Sequence, residues 1–214
     1  MKIFSIEGNI GSGKSSLIDF LKNTEPEFNF YYLEEPVNVW NEIKDSTGVT
    51  ILEKYYKDPK KYAFSFQMMA YITRLSSIKK KIGELPPNSI LFTERSVFTD
   101  REIFAKMLYD SGNIEEIEYS IYLRWFDEFK TINLDGIIYI QTNPELCHQR
   151  IDKRNRKGEE SIPLSYLTEC HNYHESWINN SIIPVLFIDG YPEQSMQLSQ
   201  QIKEFVKSDL KKSD

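Results

Sequence analysis

An α/β fold, with a five-stranded parallel sheet and helices on both faces, is what this sequence predicts, and three observations predict it. Short apolar runs recur at Lys2–Glu7, 28–33, 89–93, Gly136–Gln141 and 184–188, separated by stretches of helical character. These runs are dominated by Ile, Phe, Tyr, Leu and Val with little polar alternation, as strands covered on both faces must be. Between the first run and the first helix lies Gly8-Asn9-Ile10-Gly11-Ser12-Gly13-Lys14-Ser15, which fits the spacing G-x-x-x-x-G-K-[ST] of a phosphate-binding loop.

Each element follows from local chemistry. KIFSIE opens the chain as a buried strand, and the helix expected over 14–22 carries the loop's last residues on its positive end. Residues 60–82, rich in Lys, Met, Ala, Leu and Ile, read as a long helix ending at Gly83 before the Pro86-Pro87 turn. A second helix is expected over 114–131. Asn143-Pro144 starts another, Pro163 opens one that runs to residue 180, and 194–211 forms the last. No repeat, linker or low-complexity tract interrupts the pattern, so the chain is expected to be one domain spanning 1–214.

Cys147 and Cys170 have neither metal-ligand spacing nor partner histidines and read as reduced thiols. With a strand expected to begin at Lys2, no leader is expected, and no apolar run approaches the roughly 18 residues of a membrane span. A cytoplasmic location is therefore expected, without a membrane partner. The net charge of −6 argues against broad nucleic-acid binding. It also makes one basic segment conspicuous: RIDKRNRK, residues 150–157, holds three arginines and two lysines against one aspartate.

The loop, residues 8–16, implies a bound nucleoside triphosphate. Its glycines let backbone N–H groups turn inward around phosphate oxygens, Lys14 adds a positive charge, and the Ser15 hydroxyl is suited to Mg²⁺. In parallel sheets ligands bind beyond the carboxyl ends of the strands. Three further groups of residues fall at or near such ends. Pro36 pushes Glu35 out of the helical region at the end of the second strand, where its carboxylate could take a proton from a hydroxyl. Glu94 ends the third strand, a usual place for a carboxylate that organises Mg²⁺, and Arg95 beside it could bridge base and phosphoryl group. Arg150 and Arg154 share one helix face, where planar guanidinium groups suit a transferring phosphoryl group, and Gly158 offers a hinge for a lid over about 150–161.

These segments closely resemble the deoxynucleoside kinase family, of the deoxycytidine and deoxyguanosine kinase type. The likeness rests on GNIGSGKSS, LEEPVNVW from Leu33, YAFSFQ from Tyr62, ERSVFTDR from Glu94, RIDKRNRKGEE from Arg150, and IPLSYL followed by HESW. It implies a P-loop kinase fold with an arginine-rich lid, and transfer of the γ-phosphoryl group of ATP, or another triphosphate, to the 5′-hydroxyl of a deoxynucleoside. The resemblance makes Glu35 the general base with Arg95 beside it and Lys14 on the phosphates. The donor would be held by Gly8, Asn9, Ile10, Gly11, Ser12, Gly13, Lys14, Ser15 and Ser16, and Mg²⁺ by Ser15 and Glu94. Arg150, Arg154 and Arg156 would form the lid. It puts the amide of Gln67 against the base edge, Phe104 and Phe66 on the base faces, and Trp40, Val37, Leu52 and Ile10 around the pocket. Tyr56 would hold the 3′-hydroxyl together with Glu159, or with Glu160 if the lid slips by one residue.

Arg74 lies two turns beyond Gln67 on one helix face, and Asp100 follows the ERS segment. Thymidine-accepting members of the family lack such a pair, so Arg74 and Asp100 point to deoxycytidine, with deoxyadenosine and deoxyguanosine as co-substrates. A homodimer through the helices of 60–82 and 114–131 is also implied. The rival reading is a nucleoside monophosphate kinase such as thymidylate kinase, which would want Asp-Arg in place of Glu94-Arg95. A P-loop switch would need an Asn-Lys-x-Asp segment, which the sequence does not contain.

Overall fold

Alternate residues of the first strand, β1 (Lys2–Glu7), face opposite layers, and this sets the architecture. Phe4 and Ile6 pack against Leu17, Ile18 and Leu21 of α1 (Lys14–Thr24) and against Leu198, Ile202 and Val206 of α10 (Met196–Leu210). Ile3 points the other way, into a cluster with Tyr71, Leu75 and Ile78 of α4 (Pro59–Glu84) and Tyr122 and Phe126 of α7 (Glu116–Phe129). Each such fully buried Phe, Ile or Leu contributes about 1.5–3 kcal/mol of apolar burial. The computed structural model describes residues 1–24, 29–129, 132–156, 158–159, 162–190 and 196–210.

Five parallel strands form the sheet in the order β2-β3-β1-β4-β5, where β2 is Phe30–Leu33, β3 Ile90–Glu94, β4 Gly136–Gln141 and β5 Val185–Asp189. Registers of Leu33 with Thr93 and of Ile6 with Glu94 bring the carboxyl ends of β1, β2 and β3 level. The α/β fold expected from the sequence is the fold observed. Residue 28, where the second strand was expected to start, lies outside the described residues, as do the expected helix ends at 131, 194 and 211.

Boundaries shift where caps decide them. Helix α4 starts at Pro59, whose missing N–H costs nothing in the first turn, with the Asp58 carboxylate accepting from Lys61 N at 3.3 Å. It continues through Gly83, expected as its end, to Glu84. Helix α7 begins two residues later than the expected 114. Helix α8 (Pro144–Arg154) is capped by the Asn143 side chain, which accepts from Leu146 N at 2.8 Å, and ends at Asn155 in the left-handed region. Pro163 flanks α9 (Leu164–Asn179).

Several short elements were not expected from the sequence. They are α2 (Val37–Glu42), α3 (Ile51–Lys57), α5 (Val97–Thr99), a π-helical turn Asp100–Ala105, and α6 (Lys106–Asp110). Helix α3 carries a readable signal: Glu53 N donates to Thr50 Oγ1 at 3.1 Å while Thr50 N donates to Glu53 Oε2 at 2.8 Å, a reciprocal cap. The π turn carries no such readable signal. No helix among the described residues is long and apolar enough to cross a membrane.

Candidate active site

The loop after β1 is held from outside, leaving its concave side to the cavity. Asn9 Nδ2 donates to Leu167 O of α9 at 2.8 Å, Thr142 Oγ1 donates to Ser12 O at 3.2 Å, and Arg150 Nη1 donates to the same carbonyl at 3.1 Å. Gly11 has φ +77, and a Cβ there would lie 2.6 Å from Cys147 O of α8, so loop and helix meet backbone to backbone. Lys14 Nζ donates to Gly8 O at 3.1 Å and Asn9 O at 2.8 Å. Burial, with the Arg95 guanidinium nearby, pulls the Lys14 ammonium down to about 7. A polyphosphate would reverse that shift.

Next to the loop, Ser15 Oγ donates to Glu94 Oε1 at 2.8 Å. One hydroxyl and one carboxylate beside a phosphate loop fit Mg²⁺, a hard cation that takes one or two protein oxygens and completes its shell with phosphate and water. Among the described residues no cluster of three or more His, Cys, Asp or Glu side chains could hold a metal ion, so an all-protein cage is not what this site offers.

Glu35 enters from the end of β2, and Arg74 organises the ground around it. Arg74 is buried in α4 and uses all three of its nitrogens. Nη2 donates to Glu35 Oε1 at 2.7 Å, Nε to Asp100 Oδ2 at 2.8 Å, and Nη1 to Glu94 O at 3.0 Å. Arg95 Nε lies 3.3 Å from the same Glu35 oxygen. Burial pushes the Glu35 carboxyl up, but Arg74, Arg95 and Lys14 outweigh it and hold the group at about 2. Glu35 is therefore ionised at neutral pH.

Behind this charged end the cavity walls become aromatic. Gln67 is 2% exposed, and its Oε1 has no hydrogen-bond partner, an unusual condition for a buried amide unless a ligand completes it. Phe66 stacks on Tyr55 with centroids 4.6 Å apart and meets Trp40 edge-on at 5.4 Å. Trp40 is fixed in turn by Nε1 donating to Thr73 Oγ1 at 2.9 Å. Phe104, on the π turn with Asp100, lies beneath the Arg95 guanidinium, 5.0 Å from its carbon.

The basic segment closes the other side. Glu159 is buried and accepts from Arg156 Nη1 at 3.1 Å and from Arg154 Nη2. Arg150 differs from these two: besides Ser12 O it reaches Gly190 O at 2.8 Å, bracing the loop against the end of β5. Lys157, Glu160 and Ser161 lie outside the described residues, so Glu159 is the lid carboxylate whose place is known.

One cavity of about 650 Å³ reaches from Gly11, Gly13 and Lys14 through Glu35 and Arg95 to Gln67 and Phe104, with Tyr56, Trp40 and Glu159 on its walls; Gly8 is not among the residues that line it. Asn9 and Ser12, both buried, support the loop from behind. Tyr55 and Tyr166 escaped the sequence reading; their hydroxyls meet at 2.8 Å across the cavity wall, joining α3 to α9. Nothing in their spacing signals that contact. Glu7 was also missed, though a carboxylate closing an apolar strand just before the loop is visible in KIFSIE.

A phosphate loop, a buried carboxylate flanked by arginines and an aromatic-walled pocket with an unpartnered amide oxygen are the parts of a phosphotransferase that takes a small-molecule acceptor. A sequence profile of the deoxynucleoside kinases matches residues 4–212. A probable deoxycytidine kinase of fowlpox virus (strain NVSL) is 38% identical over 197 residues, covering 88% of this chain and 79% of that protein. The deoxycytidine kinase of Homo sapiens is 34% identical over 240 aligned positions, covering 96% and 91%. The mitochondrial deoxyguanosine kinase of Xenopus laevis is 34% identical over 205, covering 87% and 77%. This chain belongs to the deoxynucleoside kinase family, whose members phosphorylate deoxynucleosides from nucleoside triphosphate donors.

Proposed function

We propose that the chain 1–214, acting as one catalytic domain, transfers the γ-phosphoryl group of ATP to the 5′-hydroxyl of deoxycytidine, with deoxyadenosine and deoxyguanosine as co-substrates. The observation that carries this reading is the continuity of one cavity from the phosphate loop past Glu35 to the unpartnered amide oxygen of Gln67. In it the phosphates lie on residues 8–16, with Lys14 on their oxygens. Glu35 orients the 5′-hydroxyl and accepts its proton, while Arg95 neutralises charge between that carboxylate and the phosphoryl oxygens. Arg154 and Arg156 meet the phosphates from the lid, and Arg150 steadies the loop beneath them.

Ser15 and Glu94 would hold Mg²⁺, which when bound screens the phosphate charge. Gln67 pairs with the base edge while Phe66 and Phe104 flank its faces; Arg74 and Asp100 occupy the side where thymine carries its methyl group. Tyr56 and Glu159 take the 3′-hydroxyl, and Trp40 closes the wall. The proposal extends to a homodimer through α4 and α7, supported by exposed apolar residues on α7, and to a reducing, cytoplasmic compartment, supported by the free buried thiols of Cys147 and Cys170.

The experiment is a panel of natural nucleosides and nucleoside monophosphates offered with ATP and Mg²⁺, products identified by mass. Deoxycytidine is expected to be converted fastest, to its 5′-monophosphate. Glu35→Gln is expected to lower turnover at least about a hundredfold while nucleoside affinity is retained. Turnover confined to monophosphates, or an unimpaired Glu35→Gln enzyme, overturns the reading.

A further inference from the structure

Glu7 takes no part in the chemistry above, yet it is a fully buried carboxylate at the root of the phosphate loop. On β1 it shares a face with Ile3, where an apolar side chain would pack without any desolvation cost. Instead its two oxygens are occupied by hydroxyls from the neighbouring strand's continuation. Ser96 Oγ donates to Oε1 at 2.8 Å, and Thr99 Oγ1 donates to Oε2. Thr99 Oγ1 also accepts from Ser96 N at 3.2 Å, tying the two donors together. Burial raises the carboxyl of Glu7, and the hydroxyls and the Arg95 guanidinium oppose that rise.

The residue between Glu94 and Ser96 explains what this clamp is for. Arg95 has φ +64, a left-handed conformation that a non-glycine residue keeps only where its neighbours over-determine it. Three consecutive residues of the first strand's end do so. Ile6 O accepts from Arg95 N at 3.0 Å, Gly8 O accepts from Arg95 Nη1 at 2.9 Å, and Glu7 grips Ser96 and Thr99. We infer that Glu7 is a positioning residue: by accepting from Ser96 and Thr99 it fixes the left-handed turn that aims the Arg95 guanidinium at Glu35. The inference rests on the proposed phosphoryl transfer, since it assigns Glu7 an effect through a residue of that machinery.

Steady-state kinetics with deoxycytidine and ATP test it, with the unmodified enzyme in the same assay. Inactivity of the unmodified enzyme would count against the proposed reaction, not against this role. Glu7→Leu is expected to lower kcat at least about tenfold with the deoxycytidine KM within about threefold, because the base slot lies elsewhere. Glu7→Gln keeps one acceptor and offers a donor to the other hydroxyl, and is expected to recover most of that loss. In an Arg95→Ala background, Glu7→Leu should cost less than about twofold more, since its effect runs through the missing guanidinium. Losses that multiply, a Glu7→Gln enzyme as poor as Glu7→Leu, or a folded Glu7→Leu enzyme with full kcat would each overturn the assignment. Should Glu7→Leu fail to fold, Thr99→Val carries the same test: a lower kcat at constant KM, absent when Arg95 is already Ala, is expected, and unchanged kcat overturns the role.

Discussion

Arg74 joins two properties that a family comparison would treat separately. Its Nε holds Asp100 and its Nη2 holds Glu35, so one member of the pair proposed for base selection also helps keep the proposed general base charged. Replacing Arg74 alone would strand the buried Asp100 carboxylate, which is why the informative variant is double. Arg74→Met with Asp100→Ala is expected to raise thymidine phosphorylation relative to deoxycytidine, read from competing substrates; an unchanged ratio would make the pair purely structural. The same variant should alter the pH profile. Glu35 sits at about 2, below its ordinary 4.5, so its charge is present above that value and lost only as pH falls through it. Without the Arg74 cation burial prevails, the carboxyl rises, and the acid limb of kcat/KM should move upward by about one pH unit or more. An acid limb that stays in place would mean that Arg95 and Lys14 suffice.

At the scale of elements, the phosphate loop is shaped by α8, which lies against it. Gly11 meets Cys147 O so closely that any side chain would force loop and helix apart, and its φ of +77 adds strain to every L-residue. Gly11→Ala is therefore expected to lower turnover at least about a hundredfold while deoxycytidine binding, measured by calorimetry, stays within about threefold. Equal loss of nucleoside binding would show that the two halves of the cavity are not independent. The π turn at Asp100–Ala105 works at the same scale. It carries Asp100 and Phe104 together, bringing one to Arg74 and the other beneath Arg95.

For the whole molecule, the outer face of α7 carries a row of apolar side chains that packing within one chain does not cover. Ile117 is 74% exposed, Ile121 41%, Trp125 45% and Phe129 38%, with Ile72 of α4 at 43%. Trp125 and Phe129 stack on each other at 5.1 Å, and Ile117, Ile121 and Trp125 line a shallow groove. A contiguous apolar surface of this kind favours association. In keeping with the proposed homodimer, light scattering should give the mass of two chains, and Ile121→Asp with Trp125→Glu should give that of one. A single-chain mass for the unmodified protein would end the dimer proposal.

What the sequence determined by itself is what local chemistry encodes. The strand pattern, the glycine loop with Lys14 and Ser15, Glu35 fixed by Pro36, Glu94-Arg95 at a strand end and the basic run from Arg150 were all legible, because each depends on residue type and short spacing. Tertiary structure decided the rest: the strand order and register that level Gly8, Glu35 and Glu94, the three-way sharing of Arg74, the Tyr55–Tyr166 contact, the π turn, and the clamp of Glu7 on Ser96 and Thr99. The physical reason is distance along the chain. Glu7 and Ser96 are 89 residues apart in sequence, and no propensity or periodicity carries information across such a gap; only the pairing of β1 with β3 brings them within 2.8 Å.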